Sequence, residues 1–212
     1  AGDGAEHGGH AERGHRQGEA MKPSGPVFDG SWRSRCHIAA VSITAVMPLL
    51  LRHYLGKRPA VVPLSIAMYL DNGITPVGCC VFALPPRETA VRYGCVTWEL
   101  ARLWIDDGIP TNGETWLISQ AVKYIRLHFQ AVGCLVSYAD PSAGHKGTIY
   151  KAANWTADGH TDQERKTPRF DYVVAGKTVS RRSHIPKGAE FQRRARVSKA
   201  RYYLAIGREE EK

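Results

Sequence analysis

Two hydrophobic rhythms alternate along this chain. From Thr115 to Gln130, Trp116, Ile118, Ala121, Val122, Ile125 and Phe129 recur at helical spacing and predict an amphipathic helix. Glu114 suits the positive end of its dipole, Arg126 and His128 suit the negative end, and Gly133 follows as a stop. Ile43, Val46, Leu50 and Tyr54 predict an earlier helix over 42–57, with Ser42 or Thr44 as N-cap and Pro48 in its first turn. Apolar and β-branched runs predict strands over 64–70, 74–84, 93–105, 134–138, 170–175 and 202–206. Asp71-Asn72-Gly73 reads as the hairpin turn joining the first two, and Pro85-Pro86 stops the second. A short helix is expected over 147–154, after a Gly-rich turn.

This order of helix, antiparallel strands, helix, strand, helix and late strands predicts one α/β domain with a mixed, largely antiparallel sheet flanked by helices. It is similar to the order of the GNAT acyltransferase fold. The 212 residues allow one such domain, expected over 28–207, plus short extensions at 1–27 and 208–212. Residues 1–26 hold seven glycines and three histidines, His7, His10 and His15, and read as a disordered leader. No apolar run reaches about 18 residues, so a membrane-spanning helix is excluded and no membrane partner is expected. Five cysteines without a C-x-x-C pair read as reduced, buried thiols in a cytoplasmic protein.

Charge changes the picture. The chain carries 29 Lys and Arg against 20 Asp and Glu, a net +9, which favours polyanionic partners. Most of the excess lies in 181–201, where Arg181, Arg182, Lys187, Arg193, Arg194, Arg196, Lys199 and Arg201 face Glu190 alone. Arginine dominates there, and a guanidinium grips phosphate bidentately, so contact with a nucleic-acid backbone is expected, double-stranded DNA being the partner that the family resemblance given below implies; the alternative is a solvated tail.

Candidate chemistry concentrates where the 134–138 strand ends. That strand delivers Ser137, Tyr138 and Asp140 to its C-terminal edge, the place where ligands bind in open α/β sheets. The segment His145-Lys146-Gly147-Thr148 then opens a helix, whose amides favour the phosphates of a donor molecule. Tyr150, one turn in, is placed to face Asp140; the alternative is that Asp140 caps the helix and Tyr150 packs in the core. Glu99 is a second candidate base. Trp98, Trp104, Trp116 and Trp155 are expected in the core.

The pieces Ser137-Tyr138-Ala139-Asp140-Pro141, Gly144 through Tyr150, and Ala153-Asn154-Trp155 resemble the signature of the Mom family of bacteriophage DNA-modification proteins. Trp98 to Ile105 with Glu114-Thr115-Trp116, and Arg52-His53-Tyr54-Leu55, agree with it, so the resemblance spans roughly Ile38 to Tyr203. It implies a GNAT-like enzyme that converts adenine in phage DNA to N6-(carbamoylmethyl)adenine, protecting it from host restriction. By position it implies active-site roles for His53, Tyr54, Asp140 and Tyr150, and an iron requirement that His53, Tyr54 and Asp140 would serve. The GNAT likeness implies an acetyl-CoA donor, but Ile105 to Thr115, with Asp106, Asp107 and Pro110, makes a poor pyrophosphate loop. Glycyl-tRNA is the alternative donor, since a glycyl group carries the atoms of the product. A homodimer is a further expected partnership. The competing functions are an acetyl-CoA-dependent N-acetyltransferase for a small-molecule or protein amine, and a non-catalytic DNA-binding protein.

Overall fold

The computed structural model describes residues 32–163, 165–179, 184, 185 and 187–207. The expected leader, the residues from 208 onward, and Arg181 and Arg182 lie outside the described residues.

The described residues begin with a short 3-10 turn (Trp32–Arg35), then β1 (Cys36–Val41), where no element was expected, followed by α1 (Ile43–Arg52). Then come β2 (Leu64–Leu70), β3 (Gly78–Ala83), α2 (Arg87–Arg92), β4 (Val96–Ile105), α3 (Gly113–His128), β5 (Val132–Ala139) and α4 (Thr148–Ala152). The later elements are β6 (Thr156–His160), β7 (Phe170–Val174), β8 (Lys177–Val179), β9 (Phe191–Ala195) and β10 (Ala200–Ala205). Seven strands form one sheet in the order β1-β2-β3-β4-β5-β10-β6, and β8-β7-β9 form a small second sheet. All pairings are antiparallel except β4 with β5. The expected mixed α/β fold is therefore the one observed.

Helices cover both faces of the large sheet. Val46, Leu49 and Leu50 of α1 pack on Ala67, Cys79 and Val81. On the other face Leu117, Ile118, Ala121, Val122 and Ile125 of α3 pack on Ile66, Met68, Cys80 and Phe82. The α3 stripe is thus centred on Leu117, fully buried, while Trp116 stands at its half-exposed margin.

Several boundaries differ from the sequence pattern. The first helix stops at Arg52, five residues early, because His53 adopts an extended backbone with ψ 143°. Pro48 sits in the second turn, not the first. The hairpin loop is long: β3 starts at Gly78, leaving Ile74 93% exposed. Residues 87–92, flanked by Pro85-Pro86 and the turn at Gly94, form α2, where no element was expected. β6, β8 and β9 are polar strands without an alternating apolar signal. All five thiols are free, but Cys95 is exposed and Cys36 partly so, against the expectation of uniform burial.

The core assignment is testable on α3. Leu117→Ala is expected to destabilise the protein by about 3 kcal/mol, and Leu127→Ala, at a position 69% exposed, by less than about 0.5 kcal/mol. Urea unfolding of both variants measures the contrast.

Candidate active site

A divergence in the sheet builds the site. β4 and β5 stay paired from Val96/Val132 only as far as Glu99/Val136. Just beyond, β4 carries a bulge against β3: Phe82 pairs Leu100 and Val81 pairs Arg102, leaving Ala101 extra. A bulge bends its strand and deepens its twist. Beyond this point β4 has left the ladder to β5, and buried carbonyls still need partners. The Ser137 hydroxyl, on β5, donates to the Leu100 carbonyl at 2.8 Å. Arg102 closes the opposite wall, donating to the carbonyls of Ala101 at 2.6 Å and Lys57 at 3.1 Å.

The opening is a cavity of about 600 Å³, within the range of small-molecule sites. His53, Tyr54, Glu99, Ser137 and Tyr150 all line it, as do His145, Lys146, Gly147 and Thr148. Most of the expected site is therefore brought together. The Tyr150 hydroxyl is 2.8 Å from Ser137 Oγ, and its ring stacks on Tyr202 at 5.2 Å. Burial pushes Tyr150 up to about 12, partly opposed by Ser137, so it is a protonated phenol at neutral pH. The Glu99 carboxylate has no hydrogen-bond partner among the described residues. Burial raises its carboxyl above the usual value, against the pull of Arg102 and Lys199.

Asp140 is placed differently from the expected pairing with Tyr150. Its Oδ1 accepts from Ser142 N at 3.0 Å and Ser142 Oγ at 2.5 Å, and its Oδ2 pairs with Lys199 Nζ at 2.7 Å. It caps the single turn Pro141–Ala143. Burial works against its charge, but Lys199 and Ser142 hold its carboxyl below the ordinary value. His53 Nδ1 accepts from Leu55 N at 3.2 Å. Burial, Arg102 and His145 lower His53 to about 4, so its imidazole is neutral and its proton sits on Nε2. Tyr54, half-exposed, lies between the two histidine rings, 4.5 Å from His53 and 5.0 Å from His145.

These contacts test the implied cofactors. Among the described residues no three His, Cys, Asp or Glu side chains converge to hold a metal ion. His53 Nδ1 and both Asp140 oxygens are already engaged, so the set does not fit iron. The β4–α3 loop does not fit a pyrophosphate either. Asp106 holds Gly108 N at 2.9 Å, and a Cβ on Gly113 would come 2.6 Å from Ile109 Cγ2, so a side chain already covers this helix start. Glu114 adds negative charge on the cavity wall. At Gly147, with φ +73°, the missing Cβ makes room for the Tyr202 ring and not for a ligand.

Sequence reasoning passed over Arg102 and the second use of Lys199. Arg102 is 9% exposed, and a buried arginine in an apolar strand was the available signal. Among the expected DNA-contacting residues, Arg193 lies over the Phe170 ring at 4.9 Å, Arg196 is paired with Asp171, and Arg194 is exposed on β9. Trp98 and Trp155 are buried, while Trp104 and Trp116 are only partly so.

The model of the Mom protein family matches residues 35–208, a span that includes every residue named in the cavity. The chain belongs to the Mom family. The methylcarbamoylase Mom of Escherichia phage Mu is 42% identical over 57 residues, 27% of this chain and 24% of that protein. The match thus spans about a quarter of that relative's length. Among solved structures, the ribosomal-protein-S18-alanine N-acetyltransferase of Escherichia coli is similar at TM-score 0.49 and 10% identity, over 83% of this chain and 97% of that one. A Bacillus subtilis acetyltransferase in complex with CoA is similar at TM-score 0.48 and 12% identity, over 81% and 97%.

The His53 environment makes a pH prediction for this Mom-family protein. Its folded pKa, about 4, lies below the ordinary 6.5 of the unfolded chain, so the unfolded state binds the proton first. Its contribution to stability is full above pH 6.5 and falls as pH drops towards 4. The depressed carboxylates Asp140 and Asp158 lose theirs only lower, below about 3.8. In urea titrations at pH 7 and 4.5, the wild-type midpoint is expected to drop more than that of His53→Gln.

Proposed function

We propose that this protein is a transferase that modifies adenine in DNA, giving N6-(carbamoylmethyl)adenine and shielding phage DNA from restriction. The observation that carries this reading is the family match across the whole cavity, 35–208. The name of the phage Mu relative, a methylcarbamoylase, supports the product. The net +9 charge supports a polyanionic substrate.

The donor that suits this cavity is an activated glycyl ester, carried as glycyl-tRNA, and not a CoA thioester, whose pyrophosphate the β4–α3 loop does not accommodate. Adenine N6 attacks the ester carbonyl. A new N–C bond forms, one N6 proton passes to Glu99, and the ester C–O bond breaks. The departing tRNA 3′ oxygen leaves as a hydroxyl, protonated by Tyr150. The free glycyl amine then attacks ring carbon C6 and expels the amide nitrogen. That isomerisation turns –CO–CH2–NH2 on N6 into –CH2–CO–NH2 with no redox step. Glu99 takes the base role because its carboxylate is free and raised, whereas Asp140 is bound at both oxygens and depressed. His53, neutral with Nε2–H facing outward from its bond to Leu55, serves as a donor and not as a base.

The test is reconstitution with DNA and glycyl-tRNA carrying isotopically labelled glycine, read by mass spectrometry of the nucleosides. Label in a carbamoylmethyl adenine is expected. Full modification with acetyl-CoA and no tRNA would overturn the donor, and an unchanged adenine profile with every donor would overturn the function.

The two titrating groups predict a pH signature. The rate of modification is expected to fall as pH drops through the raised Glu99 pKa, and this acid limb is expected to vanish in Glu99→Gln. Tyr150→Phe is expected to lower the rate by about 10²-fold or more while costing only about 1 kcal/mol of stability. Rate–pH profiles beside thermal unfolding measure both.

A further inference from the structure

A second cavity, of about 360 Å³, abuts the first and shares Glu99, Tyr138 and Lys199 with it. The two meet where β4 and β5 begin to part. Its floor holds the free Glu99 carboxylate and the Tyr138 hydroxyl, which is 2.9 Å from Thr89 Oγ1. Its other walls are cationic: Arg92, Arg165, Arg169, Lys199 and Arg201 against Glu88, Glu99 and Asp162.

Lys199 is paired with Asp140, and the four arginines divide into two sets. Arg92 and Arg201 are held by Asp158, at 3.0 and 2.8 Å, which fixes them as wall. Arg165 and Arg169 likewise share one oxygen of Asp162, at 3.1 and 2.7 Å, but stand further out than Arg92 and Arg201, whose side chains are 33% and 11% exposed. Two guanidiniums on one carboxylate leave a positive charge over. Their side chains are 45% and 37% exposed, free to turn their forks outward. The Arg169 carbonyl also accepts from Arg196 N at 2.9 Å, which joins this rim to β9 and its exposed Arg193 and Arg194. A basic track therefore runs along the small sheet and ends at a pocket whose floor is a proton acceptor.

We propose that this second cavity receives one nucleotide of the acceptor DNA, turned out of its stack. Its phosphate lies at Arg165 and Arg169, its base amine lies at Glu99, and the donor's acyl group arrives through the first cavity. The assignment rests on the reading of the protein as a DNA adenine-modifying transferase and adds to it which cavity takes which substrate. Chemistry on N6 requires the base outside the duplex. A carboxylate accepts from the exocyclic amine of adenine and repels the O6 of a hypoxanthine or guanine. As N6 bonds to the acyl carbon, Glu99 accepts the proton that N6 releases, and the donor oxygen leaves as a hydroxyl. The same carboxylate that selects the amine thus activates it.

The experiment titrates the full chain with 2′-deoxyadenosine 5′-monophosphate, deoxyadenosine and deoxyinosine, followed by ligand-observed NMR. For the doubly substituted Arg165→Gln, Arg169→Gln protein, affinity for the monophosphate is expected to drop about tenfold, with that for deoxyadenosine nearly unchanged. For Glu99→Gln, the preference for deoxyadenosine over deoxyinosine is expected to collapse. On duplex DNA the double variant is expected to raise KM with kcat kept, and to make the salt slope of binding shallower by about one unit. Wild-type affinity for the monophosphate in the double variant, or no nucleotide binding by the wild type, would overturn the assignment. Circular dichroism confirms that the variants fold. Nucleoside mass spectrometry of wild-type reactions keeps the two readings apart. DNA modified normally beside an unaltered double variant sinks only the cavity assignment, and DNA never modified sinks the function itself.

Discussion

Everything at the candidate site follows from one backbone event, the extra residue Ala101 in β4. A parallel pair would otherwise run on in register and fill the middle of the sheet with ladder hydrogen bonds. Because β4 bends at the bulge, the ladder to β5 ends at Glu99/Val136 and a wedge opens between the two strands. The carbonyls at the bend then need donors, and Ser137 and Arg102 supply them. Ser137 in turn stands beside the Tyr150 hydroxyl, so the residue that repairs the backbone also positions the phenol.

Burial also sets the protonation of the site. Desolvation drives Glu99, Tyr150 and His53 each towards the uncharged form, through a raised carboxyl, a phenol near 12 and an imidazole near 4. The charges fixed by partners are Asp140, held by Lys199 and Ser142, and Arg102, held by backbone carbonyls. The wedge thus combines groups poised to give or take a proton with fixed charges at its edge. That division separates groups able to exchange protons from groups that only shape the field.

Much of this was legible in the residues. The α3 stripe, the β2 limits and the cluster after β5 all rest on strong periodicity or on dense turn chemistry, and local signals of that kind survive tertiary packing. The bulge at Ala101 was not legible, because Leu100-Ala101-Arg102 reads as ordinary strand and the register belongs to the partner strand. The fate of Asp140 was only half legible. Both a cap and a base suit Asp before Pro, and the decision lies with Lys199, 59 positions later in the sequence. α2, β6 and β9 were missed since they bury little apolar surface of their own and form by docking on elements that do. The exposed Ile74 shows the converse: an apolar residue after a turn signal reads as strand until the neighbouring strand fails to reach it.

The placement of β10 carries a consequence for synthesis. It comes after every other described strand, yet it lies inside the large sheet between β5 and β6, paired along β5 from Ala200/Ala139 to Ala205/Cys134. Its Tyr202 is also the ring on which Tyr150 rests. A chain still emerging from the ribosome therefore has β5 as an open edge and its phenol unsupported. Contacts this distant in sequence close late and slowly. The wedge thus takes its final shape as one of the last acts of folding, after every residue of the motif has been made.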